Sequence, residues 1–220
     1  MKSLRNHLRS VGTIKSNLIH KPVSRASAIF PFVVNEKLDT NILFMGYWFI
    51  KRKIENLKIN LIIRKISGAV ISSESFNLKE PKAYRISLKK KIQNSKNFYK
   101  TLKGSIEIEI FSKENLVYPF PALVVNYTSN KTSSVVHTCG RTFNNLDDQK
   151  STLKFLTPET GFDILPGDAV KPFIAFVNGN KKLINKKISF KILSQKKEIL
   201  KKSILLKNIR PYETKFLFFL

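Results

Sequence analysis

Residues that could bind or transform a ligand are concentrated between positions 137 and 168. His137, Cys139 and Arg141 alternate along the sequence, so an extended backbone would place their side chains on one face. The loop that follows supplies amide and carboxylate groups, namely Asn144, Asn145, Asp147, Asp148, Asp163 and Asp168. The planar fork of Arg141 suits an anionic or carbonyl oxygen, and Asn and Asp side chains bond hydroxyl groups. His137, Arg141 and these six loop residues therefore form the predicted ligand-binding site.

The same residues also permit interpretations without a ligand. Arg141 paired with Asp147 or Asp148 would only pin the loop, and Cys139 would pack as a small apolar residue. A Cys139–His137 nucleophile is disfavoured, because side chains two positions apart on a strand stand parallel instead of tip to tip. No oxyanion-hole motif accompanies the pair. We therefore predict no catalytic residue.

Metal and nucleotide sites lack their usual signatures. The chain has one cysteine, which excludes a disulfide framework and a zinc site built on paired thiolates. The carboxylates of the 147–168 loop follow no standard metal-ligand spacing, and the eight glycines form neither GxGxxG nor GxxxxGK. The sequence therefore predicts neither a metal nor a cofactor.

The charge of the chain is strongly unbalanced. Lys and Arg number 40 against 15 Asp and Glu, a net charge of +25 that favours an acidic partner. The excess is greatest in residues 171–220, where Lys186, Lys187, Lys201 and Lys202 form the predicted polyanion-binding set. An AT-rich genome would also enrich lysine, and lysines on strand edges limit aggregation, so the charge need not be selected for binding. Arg is scarce beside Lys, which disfavours a nucleic-acid partner.

Residues 1–39 are predicted to form a basic N-terminal arm. Positions 1–28 contain several Lys and Arg residues and no acidic residue, which is typical of a solvated arm or of an organellar transit peptide. No apolar stretch of about 7–15 residues precedes Ala26-Ser27-Ala28, so a secretory signal is not predicted. No apolar run approaches the roughly 18 residues of a membrane helix. We expect a soluble, cytoplasmic protein without a membrane span.

Period-two patterns dominate the chain from about residue 41. In residues 104–111, Ile106, Ile108 and Ile110 face one way, while Glu107 and Glu109 face the other and are expected to be in water. Residues 58–63 and 187–192 have the same alternation, and Tyr47-Trp48 is assigned to a further apolar strand, with Trp48 expected in the core. Glycine-containing turn signals include Ser67-Gly68 and Lys103-Gly104. The sequence therefore predicts an all-β, immunoglobulin-like sandwich.

Two parts of the chain resemble each other. Residues 71–88 align with residues 199–216 at an offset of 128, which places Tyr84 opposite Tyr212, and residues 59–63 align with 188–192 at an offset of 129. We predict a first β-sandwich unit at 40–142, a long connecting loop at 143–170 and a second, smaller unit at 171–220 that completes the core. The two tyrosines are predicted to occupy equivalent corners. Chance similarity between strands rich in Lys and Ile is the alternative.

The segment 215–220 is apolar on both faces of a strand, which predicts a modest tendency to form a homodimer through this end.

Three stretches, ENLVYPFPALVVNY (114–127), VVHTCGRTFNN (135–145) and TGFDILPGD (160–168), with the Tyr47-Trp48 segment and PFIAFVNG (172–179), resemble uncharacterised all-β proteins of AT-rich marine bacteria. The resemblance covers most of residues 40–220. It implies a β-sandwich and carries no activity.

These observations favour a non-catalytic β-sandwich binding module for an acidic polysaccharide or protein partner. One alternative is a carbohydrate-active enzyme with a jelly-roll-like core that uses His137 and Arg141. A second alternative is a nucleic-acid-binding protein. The carbohydrate-active enzyme would require a pocket where His137 meets a carboxylate. The nucleic-acid-binding protein would require a continuous lysine stripe with exposed aromatic rings.

Overall fold

The computed structural model describes residues 23–92, 101–116, 121–137, 173–194 and 197–218. Within these ranges the chain forms twelve strands and two short helices. In chain order they are β1 (Arg25–Val34), β2 (Leu38–Met45), α1 (Tyr47–Arg52), β3 (Leu57–Lys65), β4 (Val70–Leu78), β5 (Ala83–Ser87), α2 (Leu88–Ile92), β6 (Leu102–Phe111), β7 (Leu123–Ser129), β8 (Ser133–His137), β9 (Phe173–Val177), β10 (Leu183–Ser194), β11 (Lys197–Ile209) and β12 (Thr214–Phe218). The prediction of an all-β protein is confirmed.

Two antiparallel four-stranded sheets share one apolar core. Their strand orders are β1-β6-β3-β4 and β5-β2-β7-β8, and both contribute to a single cluster of buried side chains. Alternate residues of the first sheet, such as Ile59 and Ile108, meet residues of the second, such as Ile42 and Val125, in that cluster. The arrangement is sandwich-like. β9–β12 and β10–β11 form two further sheets of two strands each.

β6 follows the predicted alternation but not the predicted exposure of its polar face. Ile106, Ile108 and Ile110 are buried in the core, as expected. The prediction that the glutamates face water is wrong for Glu107, which is only 3% exposed. The reason is that β6 lies between β1 and β3, and arginines from both strands surround the carboxylate.

Lys103-Gly104 does not form the expected turn. Gly104 lies inside β6, opposite Phe32 of β1 and Lys65 of β3. A Cβ at this position would lie 1.9 Å from the carbonyl oxygen of Arg64. Glycine is therefore required here for close backbone approach between strands, not for a reversal of the chain.

Tyr47-Trp48 belongs to helix α1 instead of a strand. A continuous apolar run carries no period that separates a strand from a short helix, which explains the wrong assignment. α1 ends at Arg52, and its C-cap residue Lys53 adopts a left-handed conformation (φ 56°). Trp48 is fully buried, so its predicted place in the core is confirmed.

Residues 25–34 form β1 and belong to the sheet, although the sequence places them in the N-terminal arm. β1 pairs with β6 along its whole length, from Arg25 opposite Phe111 to Val34 opposite Leu102. Its alternate side chains are buried in the core, and they are Ala26, Ala28, Phe30, Phe32 and Val34. The assignment to an arm is therefore wrong for this strand, and residues 1–22 lie outside the described part of the chain.

The β10–β11 hairpin has the register that the internal alignment predicts. In the first hairpin Ile59 pairs with Phe76, and the pairing shifts between Ile63 and Arg64. The aligned residues Ile188 and Ile204 pair in the second hairpin, where the shift falls between Ile192 and Leu193. The outer strands do not correspond in the same way, because β9, which pairs with β12, aligns with residues 45–49, and most of these lie in helix α1.

The two aligned tyrosines do not occupy equivalent corners. Tyr84 lies in β5, its ring stacks on Phe44 at 4.9 Å, and its hydroxyl donates to the Glu80 carbonyl oxygen at 2.7 Å. Tyr212 lies in a turn at φ 58° and stacks on Arg64. The prediction fails because β11 runs three residues past the position aligned with the end of β4, so Tyr212 falls in the turn.

Candidate functional site

Of the predicted ligand-binding residues, the structure describes His137 alone. His137 is the last residue of β8, is exposed, and pairs with Val124 of β7. The remaining residues lie outside the described part of the chain, and they are Arg141, Asn144, Asn145, Asp147, Asp148, Asp163 and Asp168, together with Cys139. The predicted ligand site therefore stays a prediction.

All four lysines of the predicted polyanion set lie on the β10–β11 hairpin and are exposed. The strand register divides them between two faces, because neighbouring residues of a strand point in opposite directions. Lys187 and Lys201 share one face, with Lys201 directly opposite Lys191. Lys186 and Lys202 lie on the other, opposite Leu206 and Phe190.

The first of these faces, here called the lysine face, is open to water along its length. It contains Lys187, Ser189, Lys191, Leu193, Glu198, Lys201, Ser203 and Leu205, all of them exposed. The Ser189 and Ser203 hydroxyl oxygens lie 2.8 Å apart across the strands. Lys191 and Lys201 form a directly opposed pair of like charges, which destabilises a sheet.

One acidic group lies on the lysine face. The Glu198 carboxylate is 3.4 Å from the Lys191 ammonium, and both side chains are largely in solvent. An exposed pair of this kind contributes little to stability. The face therefore has a positive charge that its own residues do not neutralise.

The opposite face of the hairpin, here called the apolar face, has a different composition. Ile188, Phe190 and Ile192 of β10 face it together with Ile204 of β11, and these side chains are half-buried. Alternation of apolar residues with lysines favours a strand with one face in water. The hairpin thus combines a charged face with an apolar face.

Sequence reasoning missed a buried charge cluster on the first sheet. Arg25 Nη2 lies 2.7 Å from Glu109 Oε1, and Arg64 Nη1 lies 2.6 Å from Glu107 Oε2. Arg25, Arg64 and Glu107 are each less than a tenth exposed. Burial raises the pKa of Glu107 above its ordinary value, against the opposing effect of the Arg64 guanidinium. The Ile-Glu-Ile-Glu-Ile alternation shows that both glutamates point to the same side of β6, but the same pattern is typical of a face in water and does not reveal their arginine partners.

The turn at residues 210–213, here called the corner turn, covers this cluster. The Arg64 Cζ lies 4.1 Å from the Tyr212 ring centroid. The Thr214 amide donates to the Ile66 carbonyl oxygen at 2.9 Å, and the Asn178 side chain donates to the Arg210 carbonyl oxygen at 2.8 Å. Two arginines balance two glutamates here, and the groups pair with one another, so the cluster joins parts of the fold and offers no free charge to a ligand.

An open cavity of about 630 Å³ lies where β3 begins and where β4 and β6 end. Three lysines, Lys58, Lys79 and Lys113, line it together with Glu55 and the amides of two asparagines. His137, the described member of the predicted ligand-binding set, does not line this cavity. It is an open depression at the surface rather than an enclosed pocket, and Leu57, Leu78 and Phe111 supply apolar lining beside the charged groups.

In the described ranges, no three His, Cys, Asp or Glu side chains are grouped closely enough to hold a metal ion. Neither α1 nor α2, the helices of the described residues, is long and apolar enough to cross a membrane. Comparisons of the chain with protein-family models, curated proteins and solved structures found no match. The resemblance to all-β proteins of AT-rich marine bacteria stays a prediction.

Proposed function

We propose that the protein is a non-catalytic binding module and that the lysine face of the β10–β11 hairpin binds an acidic polysaccharide or an acidic protein. The observation that carries the proposal is the direct opposition of Lys191 and Lys201 on a face that is exposed throughout. Opposed like charges raise the free energy of the unbound hairpin, and an acidic partner between them would remove that repulsion.

The type of cation supports a partner recognised by charge rather than by base sequence. The hairpin contains lysines and no arginine, and lysine acts as a point charge without the fork that reads base edges. Phe190, the one aromatic residue of the hairpin, faces away from the lysine face. That face therefore has no ring on which bases could stack, which disfavours single-stranded nucleic acid.

The architecture proposed for the module is immunoglobulin-like, with two related units. The shared register of the two hairpins, including the equivalent shift in pairing, supports common origin of β3–β4 and β10–β11. The different environments of Tyr84 and Tyr212 argue against strand-for-strand equivalence beyond the hairpins. A cytoplasmic location remains our expectation from the sequence.

Retention on a heparin-type matrix tests the proposed function. Lys187→Gln/Lys201→Gln removes two charges from the lysine face, and Lys186→Gln/Lys202→Gln removes two charges from neighbouring positions on the apolar face. We expect the first variant to elute at clearly lower salt than the second, because affinity for a polyanion depends on the ion pairs formed. Equal losses in the two variants would mean that net charge alone governs retention, and the lysine face would lose its role.

A further inference from the structure

The open cavity at one end of the first sheet is built by residues of three neighbouring strands. β6, β3 and β4 lie side by side there. The cavity volume of about 630 Å³ falls within the range of roughly 300–1,000 Å³ that is typical of ligand sites. The cavity therefore has the size of a small-molecule site, and its lining indicates the chemistry of the molecule.

One row of side chains crosses the cavity. Lys58 of β3 lies directly opposite Phe111 of β6 on one side and directly opposite Asn77 of β4 on the other. Directly opposed residues of antiparallel strands have Cβ atoms about 4.5–5.5 Å apart and point to the same side of the sheet. A ring, a cation and an amide therefore stand side by side, and all three line the cavity.

The backbone holds this row in place. β3 pairs with β4 along one edge and with β6 along the other, and beside the row Leu57 lies opposite Leu78, with both residues buried in the core. The Ser112 amide donates to the Ser24 carbonyl oxygen at 3.1 Å, which fastens the chain at the end of β6. Side chains on strands are positioned more precisely than side chains on loops. The sheet therefore presents the ring, the cation and the amide at a fixed spacing.

The charge of the cavity favours an anion. Among its described lining residues, Lys58, Lys79 and Lys113 carry three positive charges and Glu55 carries one negative charge. All four residues are exposed. A cleft lined mainly by charges of one sign concentrates the electrostatic field and raises the local concentration of ligands of the opposite sign. A ligand with an acidic group is therefore attracted to this end of the sheet.

The neutral part of the lining favours a sugar. The amides of Asn56 and Asn77 can each donate and accept hydrogen bonds, and the hydroxyl groups of Ser24 and Ser112 have the same capacity. A sugar offers several hydroxyl groups to such partners. Its apolar C–H face can also pack against an aromatic ring, which the half-buried Phe111 provides.

We propose that this cavity binds a small sugar that carries an acidic group, either a carboxylate or a phosphate. The Lys58 ammonium pairs with the acidic group, the Phe111 ring packs against the sugar ring, and the Asn77 amide forms a hydrogen bond with a hydroxyl group. The inference does not rest on the proposed function, because the cavity is lined from β3, β4 and β6, whereas the lysine face belongs to β10 and β11.

The test uses the full-length protein with glucuronate, glucose 6-phosphate, neutral glucose and inorganic phosphate, and ligand-detected NMR titrations give the dissociation constants. We expect at least one of the acidic sugars to bind about tenfold more tightly than glucose, which lacks the charge, and than inorganic phosphate, which lacks the ring. Tighter binding of glucuronate would identify a carboxylate ligand, and tighter binding of glucose 6-phosphate a phosphate ligand. The proposal is overturned if neither acidic sugar binds, or if glucose or inorganic phosphate binds as tightly as they do.

Two lysines of β3 provide a matched pair of variants. Lys58→Gln removes the cation of the row, whereas Lys65→Gln removes an exposed lysine at the other end of the same strand, outside the described lining. We expect the first variant to bind the acidic sugar about three- to tenfold more weakly and the second to bind it as the wild type does. Equal losses in the two variants would show that net charge governs binding, which contradicts a site in the cavity.

Phe111→Leu tests the contact with the sugar ring. The variant keeps an apolar side chain at this half-buried position and removes the aromatic face. We expect weaker binding of the acidic sugar, while circular dichroism shows whether the fold is retained. A folded Phe111 variant with the affinity of the wild type would overturn the proposed stacking, and the Lys58 and Lys65 variants test the site even if this one does not fold.

Lys187→Gln/Lys201→Gln separates this inference from the proposed function. We expect this variant to bind the acidic sugar as the wild type does, and a loss of sugar binding here but not in Lys58→Gln would place the sugar on the lysine face and overturn the inference. If heparin retention depends on the lysine face while neither acidic sugar binds, the proposed function stands and the sugar site fails. If Lys58→Gln weakens sugar binding while heparin retention ignores the lysine face, the sugar site stands and the polyanion function fails.

Discussion

Tyr212 stacks on the guanidinium of Arg64, with 4.1 Å between the Arg64 Cζ and the ring centroid. Arg64 is also paired with the buried carboxylate of Glu107, so the ring covers one side of an arginine whose charge is already balanced. Burial and the nearby Glu107 carboxylate raise the pKa of the Tyr212 hydroxyl. This contact connects the corner turn to the first sheet.

The first prediction concerns the ring of Tyr212. Tyr212→Ala removes the stacking on Arg64 and should lower the free energy of unfolding by about 1–2 kcal/mol, the usual range for a partly desolvated cation–π contact. Tyr212→Phe keeps the ring and should be close to the wild type. Chemical denaturation measures both values. Equal destabilisation by the two variants would assign the effect to the hydroxyl and contradict the stacking argument.

The second prediction concerns the approach of the β3–β4 turn to the corner turn. Gly68 adopts φ 89°, and a Cβ there would lie 2.4 Å from the Pro211 carbonyl oxygen. Gly68→Ala should therefore reduce stability by about 1–2 kcal/mol from backbone strain alone, with more from the displaced turn. Gly179→Ala is the control, because a Cβ at Gly179 meets no atom within 4 Å. A thermal melt that shifts equally for both variants would refute the close approach as the cause.

The third prediction concerns acid stability. Burial alone would raise the pKa of Glu213, but hydrogen bonds from Lys215 and from the backbone and side chain of Arg210 lower it below its ordinary value. A carboxyl group with a lowered pKa in the folded state contributes stability above its ordinary pKa of about 4.5, and this contribution is lost as the pH falls through the lowered value.

Glu213→Gln should therefore destabilise the protein at pH 7 and make its stability less sensitive to pH as the pH falls below the ordinary carboxyl pKa of about 4.5. Urea denaturation at a series of pH values provides the measurement. Glu36→Gln, which changes an exposed glutamate, is the control. If the free energy of unfolding of the Glu213 variant changes with pH as steeply as that of the wild type, Glu213 is not a source of the acid sensitivity.

The fourth prediction concerns self-association. Phe173 packs against Phe216 and Phe218 at 5.5 and 5.7 Å, yet Phe173 is 47% and Phe218 50% exposed. We expect weak dimerisation through β9 and β12, and Phe218→Ser should reduce it. Met45→Ser removes a similarly exposed apolar side chain from the second sheet and should leave association unchanged. Light scattering that shows a monomer at high micromolar concentration contradicts the prediction.

The alternation of residues allowed much of the strand content to be predicted. In β3 and β6 apolar residues occupy alternate positions, Ile59, Leu61 and Ile63 in the first and Ile106, Ile108 and Ile110 in the second, and this pattern specifies which face enters the core. The size and the neighbours of Trp48 predict its place in the core. They do not predict that it lies in a helix, because a continuous apolar run fits the period of a helix and that of a strand. Gly104 shows a different limit, since the backbone approach that requires it depends on a strand forty residues away.

The charge cluster could not be predicted because it too depends on contacts between strands that are distant in sequence. Glu107 and Glu109 alternate as residues facing water would, and only the pairing of β6 with β1 and β3 brings Arg25 and Arg64 to them. The lysines of the hairpin were identified from composition, but their division into two faces required the register. Of the residues predicted to bind a ligand, His137 is the one that lies in the described part of the chain.

The charge cluster also has a consequence for the order in which the chain folds. Residues 25, 64, 107 and 212 meet there, so the outer side of the first sheet is completed only after most of the chain has left the ribosome. Until then Arg64 lacks its covering ring, and the sheet beneath it is exposed to other chains. Contacts between residues so distant in sequence slow folding, to milliseconds or seconds in small β proteins. We therefore expect nascent chains that stop before residue 212 to need protection from aggregation that the full-length protein does not need.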